Sequence, residues 1–278
     1  MPACGVTEPG RLCMVLGPSI CHLLLARERR EVEGICVVED GVLPGFWAYE
    51  AGQAAAGDIL TWFTENAVPV SVHAEAERRG LSVAQWLEQL ALALRPGESG
   101  LLALGWWNGN RSVLMDADLS GLLVGATLGT RPHEIFRALI EAVAFGTRKI
   151  IDAFTNAGVE INDLVTGGCL LEKCASLLQV FSDVTGRTIR VAESANAAAL
   201  GAAMHAAVAA GKGAGGYGSL QEAARHMARL RPEVYRPRKA AHEIYNRLYA
   251  EYERLHDYFG RGANPVMKTL KRLRDGAV

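Results

Sequence analysis

The fold of this chain is indicated most clearly by the stretch Leu164-Val-Thr-Gly-Gly168 and the residues that follow it. Its apolar and β-branched residues predict a strand, which the glycine pair ends. An amphipathic helix around residues 177–181, a strand over 188–191 and an alanine-rich helix over 197–210 come next. Strand, loop, helix, strand and helix in this order are typical of an α/β fold.

The glycine pair, Gly167 and Gly168, is also the first candidate binding site. Glycine lets the backbone approach a phosphate or a ribose, and the amino terminus of a following helix favours anions. The residues match neither a GxGxxG nor a GxxxxGK[ST] pattern. A nucleotide site and a plain turn therefore both remain open at this point.

The opening segment predicts a β-hairpin. Residues 12–16 and 20–25 are apolar, and Gly17-Pro18-Ser19 between them forms a tight turn. Backbone donors and the Ser19 hydroxyl at such a tip are suited to hold a phosphate. An ordinary β-turn with no ligand is the alternative.

A second strand is predicted over residues 45–50, followed by Ala51-Gly52-Gln53 and an alanine-rich helix that ends near Phe63. We expect the turn between strand and helix to display Glu50. A carboxylate in that position can accept hydrogen bonds from sugar hydroxyls. The alternative is a solvated surface charge, which is the usual role of a glutamate.

Several helices have clear boundaries in the sequence. Ser82 and Gln85 form a capping box before a helix, and Pro132 lies in the first turn of a long helix that ends near residue 156. Apolar residues repeat at helical spacing over 244–255. We therefore predict one large domain over residues 1–212 and a helical extension over 213–278 that packs on it.

Two further features allow more than one interpretation. The loop 106–111 contains two tryptophans, two asparagines and Arg111, and it either lines a ligand cleft or anchors the core. His22 lies on an apolar strand, and no serine or cysteine occupies a nucleophile elbow. We therefore predict a hydrogen-bonded structural histidine and no hydrolase chemistry.

Composition excludes several classes of protein. Lys and Arg number 29 against 30 Asp and Glu, so no overall field attracts nucleic acid or an anionic membrane. The amino terminus does not read as a signal peptide, and no apolar run reaches membrane-spanning length. The cysteines form neither a CxxC pair nor a regular framework, so we expect no metal site, no disulfides and a cytoplasmic location; they are Cys4, Cys13, Cys21, Cys36, Cys169 and Cys174.

Taken together, these segments resemble the FGGY family of carbohydrate kinases over about residues 2–274. The segments that carry the resemblance are Gly45-Phe-Trp-Ala-Tyr-Glu-Ala-Gly-Gln53, Trp106-Trp-Asn-Gly-Asn-Arg-Ser112, Arg137-Ala-Leu-Ile-Glu-Ala-Val-Ala-Phe-Gly-Thr-Arg148, Asp183-Val-Thr-Gly-Arg187, Ala199-Leu-Gly-Ala-Ala203 and Leu255-His-Asp-Tyr-Phe-Gly260. Their common order along the chain is more specific than any one of them.

The resemblance implies an actin-like, ribonuclease-H-like ATPase domain that faces a similar amino-terminal domain across a cleft. It also implies an ATP-dependent kinase, with Mg²⁺ on the phosphates, that acts on L-ribulose or a related pentulose in arabinose catabolism. By position, Gly17 and Ser19 would face the ATP phosphates and Glu50 would bind the sugar hydroxyls. The adenosine would be bordered by Gly167, Gly168, Lys173 and Cys174.

The family's catalytic base is an aspartate a few residues before a Pro-Ala-x-Gly pattern, which this chain carries at residues 2–5. The base would therefore lie upstream of Met1. We expect no turnover from these 278 residues alone. An amino-terminal kinase domain is the expected partner, and an uncovered cleft face would favour a homo-oligomer.

Four residues depart from the family's usual pattern around the cleft: Pro18 in place of threonine, Cys169 in place of a third glycine, Cys174 in place of asparagine and Gly105 in place of aspartate. Pro18 removes a hydroxyl and a backbone N–H, and Cys174 exchanges an amide for a weak thiol. Cys169 adds a side chain where close backbone approach is expected. Two alternatives to one half of a pentulose kinase therefore remain open. One is another FGGY kinase, such as one acting on xylulose, and the other is a non-catalytic nucleotide-binding or assembly module.

Overall fold

The computed structural model describes residues 1–168 and 177–276. Among them, the strands are β1 (Gly10–Leu16), β2 (Ile20–Ala26), β3 (Cys36–Glu39), β4 (Trp47–Gln53), β5 (Leu102–Leu104), β6 (Leu122–Val124), β7 (Ile161–Gly167), β8 (Ile189–Ala192) and β9 (Leu230–Tyr235). The helices are α1 (Gly57–Asn66), α2 (Val70–Arg78), α3 (Val83–Ala93), α4 (Pro132–Asn156), α5 (Leu177–Thr185), α6 (Ala197–Ala210), α7 (Leu220–Met227), α8 (Lys239–Gly260) and α9 (Val266–Arg274).

Seven of the described strands form one mixed sheet in the order β3-β4-β2-β1-β7-β8-β9. Strand β1 runs antiparallel to β2 and parallel to β7, and β7 runs parallel to β8. The carboxyl ends of β1 and β7 therefore meet at one edge of the sheet, where open α/β sheets bind ligands. Strands β5 and β6 form a separate two-stranded sheet.

The two faces of the large sheet are covered by different elements. On one face, α4 packs against α3, α5 and β5 over a core that includes Met14, Leu24 and Tyr49. On the other face, α6, α7 and the short 3-10 helix Pro2–Cys4 cover Cys13 and Val165. The second cover lies over β1, β7 and β8, and it leaves the β2–β4 end near Glu50 exposed.

Local sequence patterns predicted most of these elements. The hairpin, the Ser82–Gln85 capping box and the start of α4 after Arg131 are confirmed. Ser82 Oγ accepts a hydrogen bond from Gln85 N at 3.2 Å, and Ser82 N donates to Gln85 Oε1 at 2.9 Å. The α/β class is confirmed as a mixed sheet flanked by helices.

The segment after residue 212 differs from an all-helical extension. Strand β9 lies within it and pairs with β8, so this segment adds an edge strand to the main sheet. Helix α8 packs on α5 and β5, and Tyr245, Tyr249 and Tyr252 are buried there. None of the described helices is both long enough and apolar enough to cross a membrane.

Candidate functional site

The hairpin turn and the glycine pair, which are about 150 residues apart in sequence, lie side by side. Val15 on β1 pairs with Gly167 on β7, and the turn begins two residues after Val15. Gly168 has a φ of +121°, and a Cβ there would overlap the carbonyl oxygen of Leu16. A side chain at 168 would therefore be strained and would also push β7 away from the turn.

The two glycines differ in what they expose. Gly167 is covered, because a Cβ there would lie 3.2 Å from both Cys4 Sγ and Ala197 Cβ. Gly168 is only half-buried and stands beside the turn. Of the predicted pair, Gly168 is thus the position with backbone accessible to a ligand, whereas Gly167 allows close packing underneath it.

The turn is held from behind by the amino terminus of α1. Ala56 N donates to the Pro18 carbonyl at 2.7 Å, Asp58 N to the same oxygen at 3.2 Å, and Gly57 N to the Gly17 carbonyl at 3.2 Å. No side chain caps α1, so the turn's carbonyls satisfy the first N–H groups of this helix. The turn is therefore fixed in place, and the positive end of the helix lies next to it.

Glu50 does not lie in a turn, as the sequence suggested, but inside strand β4. The strand continues to Gln53, because its ladder with β2 extends to the Ile20–Gln53 pair. Glu50 is nevertheless exposed, and its register partner on β2 is Leu23. The prediction of an accessible carboxylate is correct, but the reason is the uncovered sheet face and not a loop.

Register places Glu50 on the same face of the sheet as Gly167. Glu50, Leu23, Cys13 and Val165 are successive partners across β4, β2, β1 and β7, so their side chains point to the same side. Gly167 shares this side with Val165, two residues earlier. Three strand spacings separate the Glu50 strand from β7, a distance of about 14 Å.

Arg111 joins Glu50 on the open face. Its Nη2 donates to Glu50 Oε1, and its Nη1 lies 3.8 Å from Cys21 Sγ. A Cβ at Gly52 would lie 2.8 Å from Arg111 Nη1, so the guanidinium occupies the space that a side chain at 52 would need. Gly52 is therefore required for this contact.

The loop that carries Arg111 is tied to β4. Ser112 N donates to the Gly52 carbonyl at 3.1 Å, and Gly52 N donates to Ser112 Oγ at 3.2 Å. Asn110 is buried, and its Oδ1 accepts from Leu114 N at 3.0 Å. The loop thus extends the sheet edge and points Arg111 at the open face.

The two ends of loop 106–111 have different surroundings. Trp106 is buried with its ring edge-on to His256 and anchors the core, whereas Arg111 is exposed. A cavity of about 10 Å³ lies behind Arg111, and Gln53 of β4, Lys149 of α4 and Tyr252 of α8 are among the residues that line it. It is about the size of one water molecule, so it is not a sugar site.

Buried polar groups support the strands from the other face. His22 is fully buried, and its Nε2 lies 3.2 Å from Thr147 Oγ1, which also accepts a bond from Gln53 Nε2 at 3.0 Å. Burial, with a smaller contribution from Arg111, lowers the pKa of His22 to about 3. The prediction of a structural histidine is consistent with this arrangement.

Lys173 and Cys174, predicted to border the adenosine, and Cys169 lie outside the described residues. Gly105 is described, and a Cβ there would be 3.5 Å from Ile59 Cδ1 and 3.8 Å from Ala142 Cβ. Position 105 therefore faces the core beside α4 and not the hairpin turn. Within residues 1–168 and 177–276, no group of three or more His, Cys, Asp or Glu side chains could hold a metal ion.

Sequence reasoning left open whether Arg111 lines a ligand cleft, and it did not single out Gly52 or connect either residue to Glu50. A glycine inside a predicted strand is a signal of close approach by another group, and Gly52 offered that signal. Nothing local connects it to Arg111, which lies 59 positions later in the chain. Only the fold brings the two together.

Comparison with known proteins identifies the family. The sequence model for the FGGY family of carbohydrate kinases, C-terminal domain, matches residues 12–210. The chain belongs to this family. The predicted family membership and the predicted actin-like ATPase fold are therefore confirmed.

Ribulokinases are among the curated relatives of this chain. The chain is 56% identical to the ribulokinase of Anoxybacillus flavithermus over 278 residues, which is 100% of this chain and 49% of that protein. It is 45% identical to the ribulokinase of Mycolicibacterium smegmatis over 276 residues, 99% of this chain and 48% of that protein. The chain thus spans about half the length of the curated relatives it matches.

Solved FGGY structures share the fold. A xylulose kinase from Rhodospirillum rubrum superposes with a TM-score of 0.74 at 23% identity, over 92% of this chain and 48% of that one. A glycerol kinase from Plasmodium falciparum, solved with ADP, gives 0.71 at 18% identity, over 91% and 48%. These values show that the fold is shared. They do not identify the substrate of this chain.

Proposed function

We propose that this chain is the nucleotide-binding half of a kinase that transfers the γ-phosphoryl group of ATP to L-ribulose, giving ADP and L-ribulose 5-phosphate. The observation that carries the proposal is the meeting of the 17–19 turn with Gly168, on the sheet whose open face presents Glu50. The high identity to ribulokinases over the whole chain supports L-ribulose rather than another pentulose.

In this proposal each residue group has one task. Ser19 and the turn backbone bind the phosphates, next to the positive end of α1. Gly168 and, by the family resemblance, Lys173 and Cys174 border the adenosine. Glu50 accepts hydrogen bonds from the sugar hydroxyls and so orients the acceptor.

Mg²⁺ has no carboxylate or histidine cluster to hold it among the described residues. We propose that Mg²⁺ arrives bound to the nucleotide phosphates. The base that takes the hydroxyl proton is proposed to be an aspartate of the amino-terminal half, which the family resemblance implies.

A reducing cytoplasm is the proposed location, and residues 1–212 and 213–278 are the proposed domain and its extension.

Titration with ATP by calorimetry tests the nucleotide site. We expect binding in the micromolar range, and about a 2- to 10-fold loss on Ser19→Ala, since one hydrogen bond is removed. Ser120→Ala, in the exposed loop beside α9, is the matched control and should leave affinity unchanged. An absence of ATP binding would favour the non-catalytic module.

A coupled assay of ADP release with L-ribulose tests the need for the other half. We expect no turnover from these 278 residues, because loss of a general base alone removes a factor of about 10² to 10⁴ in rate. Turnover at the rate of ordinary kinases would contradict the proposed division of labour.

A further inference from the structure

Arg111 lies between two proposed subsites along the open face. Its guanidinium covers Gly52, whose register partner on β2 is Cys21. Glu50 is two residues away on β4, and Ser19 is two residues before Cys21, at the turn. Two residues of a strand span about 7 Å, so Arg111 stands roughly midway between the sugar carboxylate and the phosphate turn.

The guanidinium is held in this place but retains unused hydrogen-bond donors. The bonds between Ser112 and Gly52 fix the loop, and Glu50 orients one side of the guanidinium. Arginine carries five N–H donors, and the structure pairs Nη2 with Glu50 and Nη1 with a weak sulfur acceptor at 3.8 Å. The side chain is 45% exposed, so the remaining donors are accessible to a ligand.

We infer that Arg111 binds the phosphoryl group as it passes from ATP to the sugar, and binds the phosphate of the product. The inference rests on the proposed function and adds a residue to it. In the transfer, a sugar hydroxyl oxygen forms a bond to the γ-phosphorus, the bond from that phosphorus to the β–γ bridging oxygen breaks, and ADP leaves. The hydroxyl proton goes to the base, and Arg111 balances the negative charge on the non-bridging oxygens.

The chemistry favours arginine for this role. Its planar fork binds phosphate oxygens through two parallel N–H bonds, whereas a lysine offers a single point of charge. Glu50 would otherwise repel a phosphate nearby, and its pairing with Arg111 offsets that repulsion. Arg111 therefore makes an acidic sugar site compatible with a phosphorylated product.

The test compares the affinities of the 278-residue chain for L-ribulose and for L-ribulose 5-phosphate, measured by ligand-observed NMR. We expect the phosphate ester to bind about 10- to 100-fold more tightly, the effect of charge-assisted hydrogen bonds to one guanidinium. Arg111→Gln should reduce this ratio to about one, and Arg111→Lys should restore part of it. A general loss of folding affects both ligands, so the ratio reports the phosphate contact.

Arg27→Gln is the matched control. Arg27 also pairs with a glutamate, Glu8 at 3.3 Å, and is exposed just after the end of β2, so the variant removes one positive charge away from the site. Its ratio should equal that of the unaltered chain. An unchanged ratio in Arg111→Gln, or a ratio near one in the unaltered chain, overturns the inference. The ATP titration is separate, so normal ATP binding with either result leaves the proposed function standing.

Discussion

Two arginine–glutamate ion pairs in this chain have the same chemistry and opposite surroundings. Arg137 and Glu141 on α4 pair at 2.6 Å, and each side chain is 3% exposed. Arg111 and Glu50 pair across the open sheet face, where the side chains are 45% and 47% exposed. The two pairs contain the same residue types, so the difference in burial decides whether a pair contributes to folding stability or is accessible to a ligand.

The buried pair is fully surrounded by partners. Arg137 also donates to the Ala91 carbonyl at 3.1 Å and to Tyr245 Oη at 2.6 Å, and Tyr245 donates to Glu141 at 2.8 Å. These bonds join α3, α4 and α8. Burial raises the pKa of Glu141, although Arg137 and Tyr245 act in the opposite direction. Such a pair fixes helix packing, and at 3% exposure it is not accessible to a ligand.

The exposed pair shows the reverse. Solvent screens it, so its contribution to folding is about 0–1 kcal/mol. Since little stability depends on it, both groups can exchange partners when a ligand arrives. The comparison therefore separates the residues that build this domain from those that serve its proposed reaction.

The largest expected effect is the loss of the buried arginine. Arg137→Ala leaves Glu141 buried without its partner, which typically costs about 3–5 kcal/mol. Urea unfolding of the chain measures the change. Arg111→Ala is the contrast, with an expected loss below about 1 kcal/mol. Equal losses for the two variants would break the comparison.

The next effect concerns the border between the hairpin turn and β7. Gly168→Ala should cost about 2–4 kcal/mol, because the backbone conformation strains an alanine and its Cβ meets the Leu16 carbonyl. Gly158→Ala is the control, since Gly158 also has a positive φ but an open surrounding, and about 1–2 kcal/mol is expected. Thermal unfolding distinguishes them. Equal costs would mean that the close approach at 168 is not a constraint.

A smaller effect is expected in the pH dependence of the unfolding free energy, through the buried His22. His22 has a folded pKa of about 3 against an ordinary value of 6.5, so only the unfolded chain takes up its proton between these values. Stability from this group is full above pH 6.5 and falls as the pH decreases toward 3.

His22→Gln should therefore reduce the slope of unfolding free energy against pH by about 1.4 kcal/mol per unit, between pH 4 and 6. His205→Gln, at an exposed position of α6, should leave the slope unchanged. Urea unfolding across this pH range measures both variants. An unaltered slope in His22→Gln would show that the histidine is not buried in its neutral form.

Much of the fold could be predicted because its signals are local. The Gly-Pro-Ser turn, the Ser82 capping box and Pro132 each act within a few residues, and the structure has an element boundary at each. Strands β3 and β6 were not predicted, although the equally short β8 was predicted over residues 188–191. Strands β3 and β6 have four and three residues, and their pairing partners decide that they are strands.

Residues of the candidate site also differ in whether a local sequence signal predicted them. The glycine pair and the turn were predicted from residue type, since a strand end followed by glycine has local meaning. The position of Glu50 was predicted only in part, because its strand continues through its pairing with β2. The contact of Arg111 with Glu50 had no local signal.

The sequence by itself determined the α/β class, the helix boundaries and the family resemblance, because side-chain spacing and capping act over short distances. Tertiary structure alone decided that residues 17–19 and 168 meet, that Glu50 remains uncovered and that Arg111 reaches it. Strand register and loop closure connect residues far apart in the chain, and no local pattern of residue types encodes that connection.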